Sequence, residues 1–116
     1  MGVLRLNGKA YGGDIAHHYS TNETVIGTWI DGKPLYQKTV TGLSVALNGA
    51  NWVYWNSGIA IDKLISLDAY TINTNRLQHC AIAEYMYDST NDVMLGGFSG
   101  YNRTINVITI QYTKSS

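Results

Sequence analysis

The fold is decided by the stretch TVIGTWIDGKPLYQKTV, Thr24–Val40. Its first run is rich in β-branched and aromatic residues, which fit a pleated and half-buried surface. Asp31-Gly32 follows, and an Asp-Gly pair between two such runs is typical of a type I′ hairpin turn, which needs positive φ at both central positions. Pro34 begins the second run, as expected for a residue without an N–H, which is confined to strand starts and sheet edges. The stretch therefore predicts a β-hairpin.

The same stretch carries a family resemblance when it is extended to Tyr19–Gly42, YSTNETVIGTWIDGKPLYQKTVTG. It resembles a segment near the C-termini of bacteriophage and prophage tail-fibre or receptor-binding proteins, of the form YST-x-E-x-x-x-GTWIDGKPLY-x-K. The segment Ile108–Lys114, ITIQYTK, is similar to the closing strand of that family. The likeness is weak over Asn48–Gly100. It implies a fibre-tip domain of a virion, a homotrimer, that contacts a glycan or wall polymer of the bacterial host.

Composition limits the remaining function classes. The chain has 116 residues, 14% of them charged, and a formal net charge of zero. It predicts one domain, residues 1–116, and a nucleic-acid partner is not expected because no basic excess is available for phosphate contacts. We find no signal peptide and no apolar run long enough for membrane insertion, so synthesis in the cytoplasm of the host bacterium is expected.

The residue types that carry most enzyme and metal chemistry are sparse. Cys80 is the only cysteine, and we expect a buried side chain that points away from its neighbour His79, since adjacent residues of a strand face opposite ways. Asp14, His17 and His18 are the only cluster of metal-ligand types, and this incomplete set favours a solvated loop. No cofactor, metal site or catalytic residue is predicted.

The most aromatic stretch is Asn51–Asn56, NWVYWN. As a strand it places Trp52 and Tyr54 on one face and Val53 and Trp55 on the other. Aromatic rings flanked by asparagine amides suit sugar recognition, because rings stack on C–H faces and amides bond hydroxyls. Tryptophan and tyrosine also anchor protein interfaces and cores. The candidate ligand-binding residues are Asn51, Trp52, Tyr54, Trp55 and Asn56.

The flanking segments read mostly as strands. Leu43–Leu47 alternates and predicts a half-buried strand that ends in the turn Asn48–Asn51. Ile59–Ile72 is ambiguous, and we expect a short helical turn near Asp62–Ile65, with Asp62 as its cap, and a strand after it.

The C-terminal half continues this pattern. We expect a polar loop at Thr71–Arg76 and one buried strand within Arg76–Asp88, which Val93–Leu95 pairs with after a turn. The segment Ile108–Thr113 alternates, and it predicts one face on the core and one face turned to water.

Together these patterns predict an all-β antiparallel β-sandwich with one or two short helical turns. The interpretation that combines them with the resemblance is a non-enzymatic, trimeric fibre tip that binds a host surface glycan. Two alternatives remain open, a monomeric carbohydrate-binding module and a purely structural trimerisation or capping domain.

Overall fold

A computed structural model describes residues 19–87 and 92–115 of the chain. Within these ranges it contains ten strands and no helix, and therefore no helix that could cross a membrane. The strands are β1 (Thr24–Thr28), β2 (Pro34–Val40), β3 (Val45–Asn48), β4 (Trp52–Asn56), β5 (Ile61–Asn73), β6 (Arg76–Cys80), β7 (Glu84–Tyr87), β8 (Asp92–Gly96), β9 (Asn102–Ile105) and β10 (Val107–Lys114). Asp14, His17 and His18 lie outside the described residues.

The strands form one large and two small antiparallel sheets. The large sheet has the order β1-β2-β10-β5-β6, and the small sheets are β3-β9 and β4-β8-β7. Buried apolar side chains of all three sheets form one core, so the predicted all-β sandwich is confirmed. The core residues are Leu47, Trp55, Ile59, Ile61, Leu67, Ala69, Cys80, Val93, Leu95, Ile105, Ile108, Ile110 and Tyr112.

The predicted hairpin is present as β1 and β2, but its turn differs from the prediction. The Trp29 N–H donates to the Lys33 carbonyl at 2.8 Å, which closes a three-residue loop, Ile30–Gly32. Only Gly32 has positive φ in that loop, at 89°, so the turn is not type I′. A three-residue loop with a left-handed glycine at its last position is the next commonest hairpin connection.

A two-residue turn with positive φ at both central positions joins β5 and β6 instead. Thr74 and Asn75 have φ of 51° and 63°, and they follow the paired residues Asn73 and Arg76. The loop expected over Thr71–Arg76 is thus reduced to two residues. Asparagine tolerates the left-handed region because its short side chain bonds the backbone locally, and Thr74 is the costlier residue of the turn.

The predicted helical turn near Asp62–Ile65 is absent, because these residues belong to the long strand β5. Opposite β10, the register skips Asp62 and Ile65, so each is an extra residue in a bulge. Two bulges three residues apart break the alternation of side chains. The apolar spacing that favoured a helical turn is explained by this interrupted strand, and Asp62 caps no helix.

The prediction of a single buried strand within Arg76–Asp88 is also wrong. The segment forms two strands in different sheets, β6 and β7, separated by Ala81–Ala83. Four of the five residues of β6 are exposed, since β6 is an edge strand of the large sheet. The expected partner strand is confirmed as β8, which pairs with β7.

The strand β10 lies at the centre of the large sheet, between β2 and β5. Ile108, Ile110 and Tyr112 are buried in the core as predicted, but Thr109 and Thr113 are buried as well. The Thr109 hydroxyl lies 2.8 Å from that of Thr39, and the Thr113 hydroxyl donates to Asp62 Oδ2 at 3.3 Å. The prediction that this second face is turned to water is therefore wrong at both threonines.

Asn106 joins the β3-β9 sheet to the large sheet at the point where the chain passes from β9 to β10. Its Nδ2 donates to the Leu43 carbonyl at 3.0 Å, and its Oδ1 accepts from the Ile72 N–H at 2.8 Å and from the Thr71 hydroxyl at 3.3 Å. Its backbone N–H also donates to the Tyr70 carbonyl at 2.8 Å. One side chain thus ties the segment before β3 to the large sheet.

Candidate functional site

The two faces of β4 have opposite environments, as the alternation predicts. Trp55 points into the core and is 7% exposed. Trp52 and Tyr54 point outward and are 40% and 56% exposed. Of the aromatic candidates, only Trp52 and Tyr54 therefore present their rings on the free face of the small sheet.

Trp52 is held in place by a glycine on the neighbouring strand. Trp52 pairs with Gly96 of β8, and a Cβ built on Gly96 would lie 3.3 Å from Cζ3 and 3.4 Å from Cε3 of the indole ring. The ring therefore lies across β8 where Gly96 leaves room for it, an aromatic cover over a strand glycine. One side of the indole packs on the sheet, and the other side is open.

Register extends this surface over all three strands. Tyr54 pairs with Met94 of β8, which pairs with Met86 of β7, and Met86 is 50% exposed. Residues directly opposite each other in an antiparallel pair share a face. We call the outward side chains Trp52, Tyr54, Met86 and Met94 the aromatic platform.

The rim of the aromatic platform is polar and acidic. Glu84 pairs with Gly96 beside Trp52, and Asp92 pairs with Asn56 at the far end of the sheet. The described strands of this sheet, β4, β7 and β8, contain no lysine, arginine or histidine. The rim therefore offers carboxylate and amide groups beside apolar rings.

The asparagine candidates lie at the two ends of β4. Asn51 is exposed in the turn before the strand, where its N–H donates to the Asn48 carbonyl at 3.1 Å. Asn56 is exposed at the other end, and its Oδ1 accepts from the Gly58 N–H at 2.9 Å. Asn56 and the edge of Trp55 also line a cleft against Lys38–Thr41 of the large sheet. The five candidates thus do not form one site.

The two rim acids are too far apart to act as a glycosidase pair. Glu84 is level with Gly96, whereas Asp92 lies four residues further along β8. At about 3.4 Å per residue this spacing is about 14 Å. Glycosidase carboxyl pairs lie about 5 to 9.5 Å apart. The spacing of these two acids therefore exceeds that of a glycosidase pair.

A histidine–carboxylate contact on the large sheet was not foreseen from the sequence. His79 Nε2 lies 3.4 Å from Asp68 Oδ1, and both side chains are about half exposed. The neighbouring thiol of Cys80 does not join this contact, because Cys80 faces the core. Burial raises the pKa of the Cys80 thiol, which disfavours the reactive thiolate. Cys80 is thus the predicted buried side chain.

Charged groups concentrate at the hairpin loop, where they link β5 to the start of β2. Asp62 Oδ2 lies 2.9 Å from Lys63 Nζ and 3.0 Å from Lys33 Nζ, and Lys63 also reaches Asp31 at 3.1 Å. These hydrogen bonds, from Lys63 first and Lys33 second, lower the pKa of Asp62 to about 2. The cations are already paired, so this cluster fastens the loop rather than offering a binding site.

Glu23 also fastens the hairpin region, at the side opposite the loop. It accepts hydrogen bonds from the Tyr112 hydroxyl and from Lys114 Nζ. Burial alone would raise its pKa, but these bonds outweigh burial and the pKa lies below the ordinary value. Burial, followed by the bond to Glu23, raises the pKa of Tyr112 well above its ordinary range. The contact secures the segment before β1 against the central strand.

The described part of the chain holds no group of three or more histidine, cysteine, aspartate or glutamate side chains arranged for a metal ion. Sequence reasoning named Trp52 and Tyr54 but missed Met86, Met94 and Glu84, which come from strands about thirty to forty residues away along the chain. Comparison with known proteins finds no matching family model, no matching curated protein and no matching solved structure.

Proposed function

We propose that this chain is a non-enzymatic tip domain of a phage or prophage tail fibre and that its aromatic platform binds a glycan of the bacterial surface. The observation that carries the proposal is the Trp52 ring, which packs on Gly96 with one side and is open on the other. A pyranose stacks its apolar C–H face on such a ring. Amide and carboxylate groups of Asn51 and Glu84 then accept or donate hydrogen bonds to the hydroxyls.

The fibre-tip part of the proposal rests on the sequence resemblance. The two resembling segments, Tyr19–Gly42 and Ile108–Lys114, are neighbours in the fold, because β2 pairs with β10. Val40 is opposite Ile108 and Tyr36 is opposite Tyr112. Segments that pair along a sheet act as one unit, which supports treating the two short likenesses as one. The domain would belong to the virion after synthesis in the host cytoplasm.

The charge of the rim narrows the ligand class. Glu84 and Asp92 are acidic, and no cation is present in the described strands of this sheet. A negative rim disfavours an anionic ligand. The platform therefore suits a neutral or amino sugar. A shallow site of this kind binds weakly, and three copies in a homotrimer would supply the avidity that attachment needs.

Binding to immobilised host-surface polysaccharide tests the platform. Trp52→Ala and Tyr54→Ala should each weaken retention by at least about tenfold, the effect of losing about 1.4 kcal/mol. Tyr19→Ala is the matched control, because Tyr19 is 61% exposed and lies off the platform. Unchanged retention in both platform variants would reject the site.

A second candidate function, a subunit contact, is favoured by the apolar character of Met86, Met94 and Tyr54. Methionine and tyrosine are enriched in protein interfaces. Light scattering distinguishes the candidates. A trimer that Trp52→Ala dissociates would make the platform a contact between subunits, whereas a trimer that survives the substitution leaves the platform free for glycan. A monomer that retains polysaccharide would instead indicate a free carbohydrate-binding module.

A further inference from the structure

A second cleft lies between the large sheet and the β3-β9 sheet, away from the aromatic platform. The β5–β6 hairpin forms one wall with Thr71, Ile72, Asn73 and Gln78, and Arg103 of β9 forms the other. We call this the β9 cleft. Its wall residues are polar except for Ile72, and it belongs to different sheets from the platform.

Arg103 is held in a defined position at this cleft. Its Cζ lies 4.3 Å from the centroid of the Tyr101 ring, and its Nη1 donates to the Asn102 carbonyl at 2.8 Å. Tyr101 is fixed in turn, because its hydroxyl accepts from the Ala81 N–H at 3.1 Å and Phe98 meets its ring edge-on. A stacked guanidinium loses little further side-chain freedom when it binds a ligand.

The charge of Arg103 is not balanced by a carboxylate in the part of the chain that the structure describes. Among residues 19–87 and 92–115, no carboxylate lies within ion-pair distance of Arg103. Arg76 adds a second cation on the same face of β6 as Gln78, since residues two apart on a strand share a face. The β9 cleft is therefore locally positive on a chain whose formal net charge is zero.

The amides of the cleft add hydrogen-bonding groups beside the guanidinium. Asn73 Nδ2 donates to Gln78 Oε1 at 3.1 Å, a bond that joins the two strands of the hairpin. Both amide side chains line the cleft beside Arg103. An arginine fork and amide donors together match an oxyanion.

We infer that the β9 cleft binds the carboxylate or phosphate group of an acidic saccharide, with Arg103 as its principal ligand. The inference does not rest on the platform, whose acidic rim selects against such a group. A guanidinium presents two parallel N–H donors to an oxyanion, and the polar side chains of Asn73 and Gln78 line the same cleft.

Calorimetric titration of the full chain tests the inference. The probes are a galacturonic acid disaccharide, glucose 6-phosphate and the neutral disaccharide maltose. We expect millimolar binding of an acidic probe, whereas any binding of the neutral maltose reports the platform and should be lost in Trp52→Ala. The carboxylate probe and the phosphate probe identify which acidic group the cleft prefers, and binding of either one supports the inference.

Substitution of Arg103 distinguishes binding at this cleft from a nonspecific attraction of the probe to positive charge. Arg103→Gln should lower the affinity for the acidic probe by at least about tenfold. Arg103→Lys should lower this affinity as well, because lysine keeps the charge but loses the planar fork. Lys38→Gln is the matched control, since it removes one positive charge from β2 and should leave affinity unchanged. Thermal unfolding of each variant shows whether it remains folded.

Two results would overturn the inference. One is no binding of either acidic probe up to about 10 mM, which lies beyond a useful millimolar affinity. The other is equal affinity for the native chain and for folded Arg103→Gln. Trp52→Ala should bind the acidic probes like the native chain, so failure of the platform and failure of the β9 cleft are separate outcomes.

Discussion

Trp52 and Trp55 lie three residues apart on one strand and have opposite roles. Trp55 is buried among the core residues of the sandwich, whereas Trp52 covers a glycine on the outer face and keeps one side open. The residue type is the same, and only the parity of the position along β4 differs. The comparison shows that a half-buried strand assigns core packing and solvent exposure to alternate residues, so that each face can be changed alone.

The sharpest way to break this comparison is to remove each indole in turn. Trp55→Ala leaves a cavity in the core and should lower the free energy of unfolding by about 3 to 5 kcal/mol. Trp52→Ala, the matched substitution on the outer face, should lower it by about 1 kcal/mol or less. Urea denaturation measures both. Equal losses would mean that the two faces of β4 are not independent.

The core that the inner face of β4 packs into also depends on the hydrogen bonds of Asn106, which join the segment before β3 to the large sheet. Asn106→Ala removes three side-chain hydrogen bonds and leaves the part-buried Leu43 carbonyl without this donor. We expect a loss of about 2 to 3 kcal/mol in the free energy of unfolding. Asn51→Ala is the control, because its side chain is exposed in a turn. A change in glycan retention by folded Asn106→Ala would contradict the separation of the faces.

Gly96→Ala tests the outer face with one methyl group. The new Cβ would contact the Trp52 ring at 3.3 to 3.5 Å, and the ring must shift outward by a few tenths of an ångström. We expect weaker glycan retention and a more solvent-accessible indole, with a change in unfolding free energy under about 1 kcal/mol. Gly27→Ala is the control, since nothing lies within 4 Å of its Cβ position. Fluorescence quenching by acrylamide reports the exposure of the ring.

The smallest expected effect is a loss of folding stability at acidic pH, and it involves neither face of β4. The pKa of Asp62 is about 2 in the folded chain against 3.8 ordinarily, so the unfolded chain binds more protons between these values. The stabilisation from Asp62 is present above about pH 4 and is lost as the pH falls towards 2. Asp62→Asn should flatten the fall in melting temperature over that range, whereas Asp92→Asn should not. Identical acid profiles for Asp62→Asn and the native chain would reject this account.

Local patterns in the sequence were sufficient for the elements that depend on local chemistry. Alternation places Trp52 and Trp55 on opposite faces, and the Thr24–Val40 stretch predicts its hairpin. The bulges at Asp62 and Ile65 were not predictable, because a bulge depends on the register with β10, more than forty residues away. The platform was predicted only in part for the same reason, since Met86 and Glu84 join Trp52 through strand pairing alone.

The position of β10 in the large sheet has a consequence for the order in which the fold can form. Without residues 107–114, the hairpins β1–β2 and β5–β6 share no strand, and an isolated two-stranded ribbon is marginally stable in water. During synthesis these hairpins must therefore wait for the last strand before they can join. Closure of the sheet then depends on contacts far apart in sequence, which makes folding slow. A chain interrupted before Val107 would lose the whole large sheet rather than one edge of it.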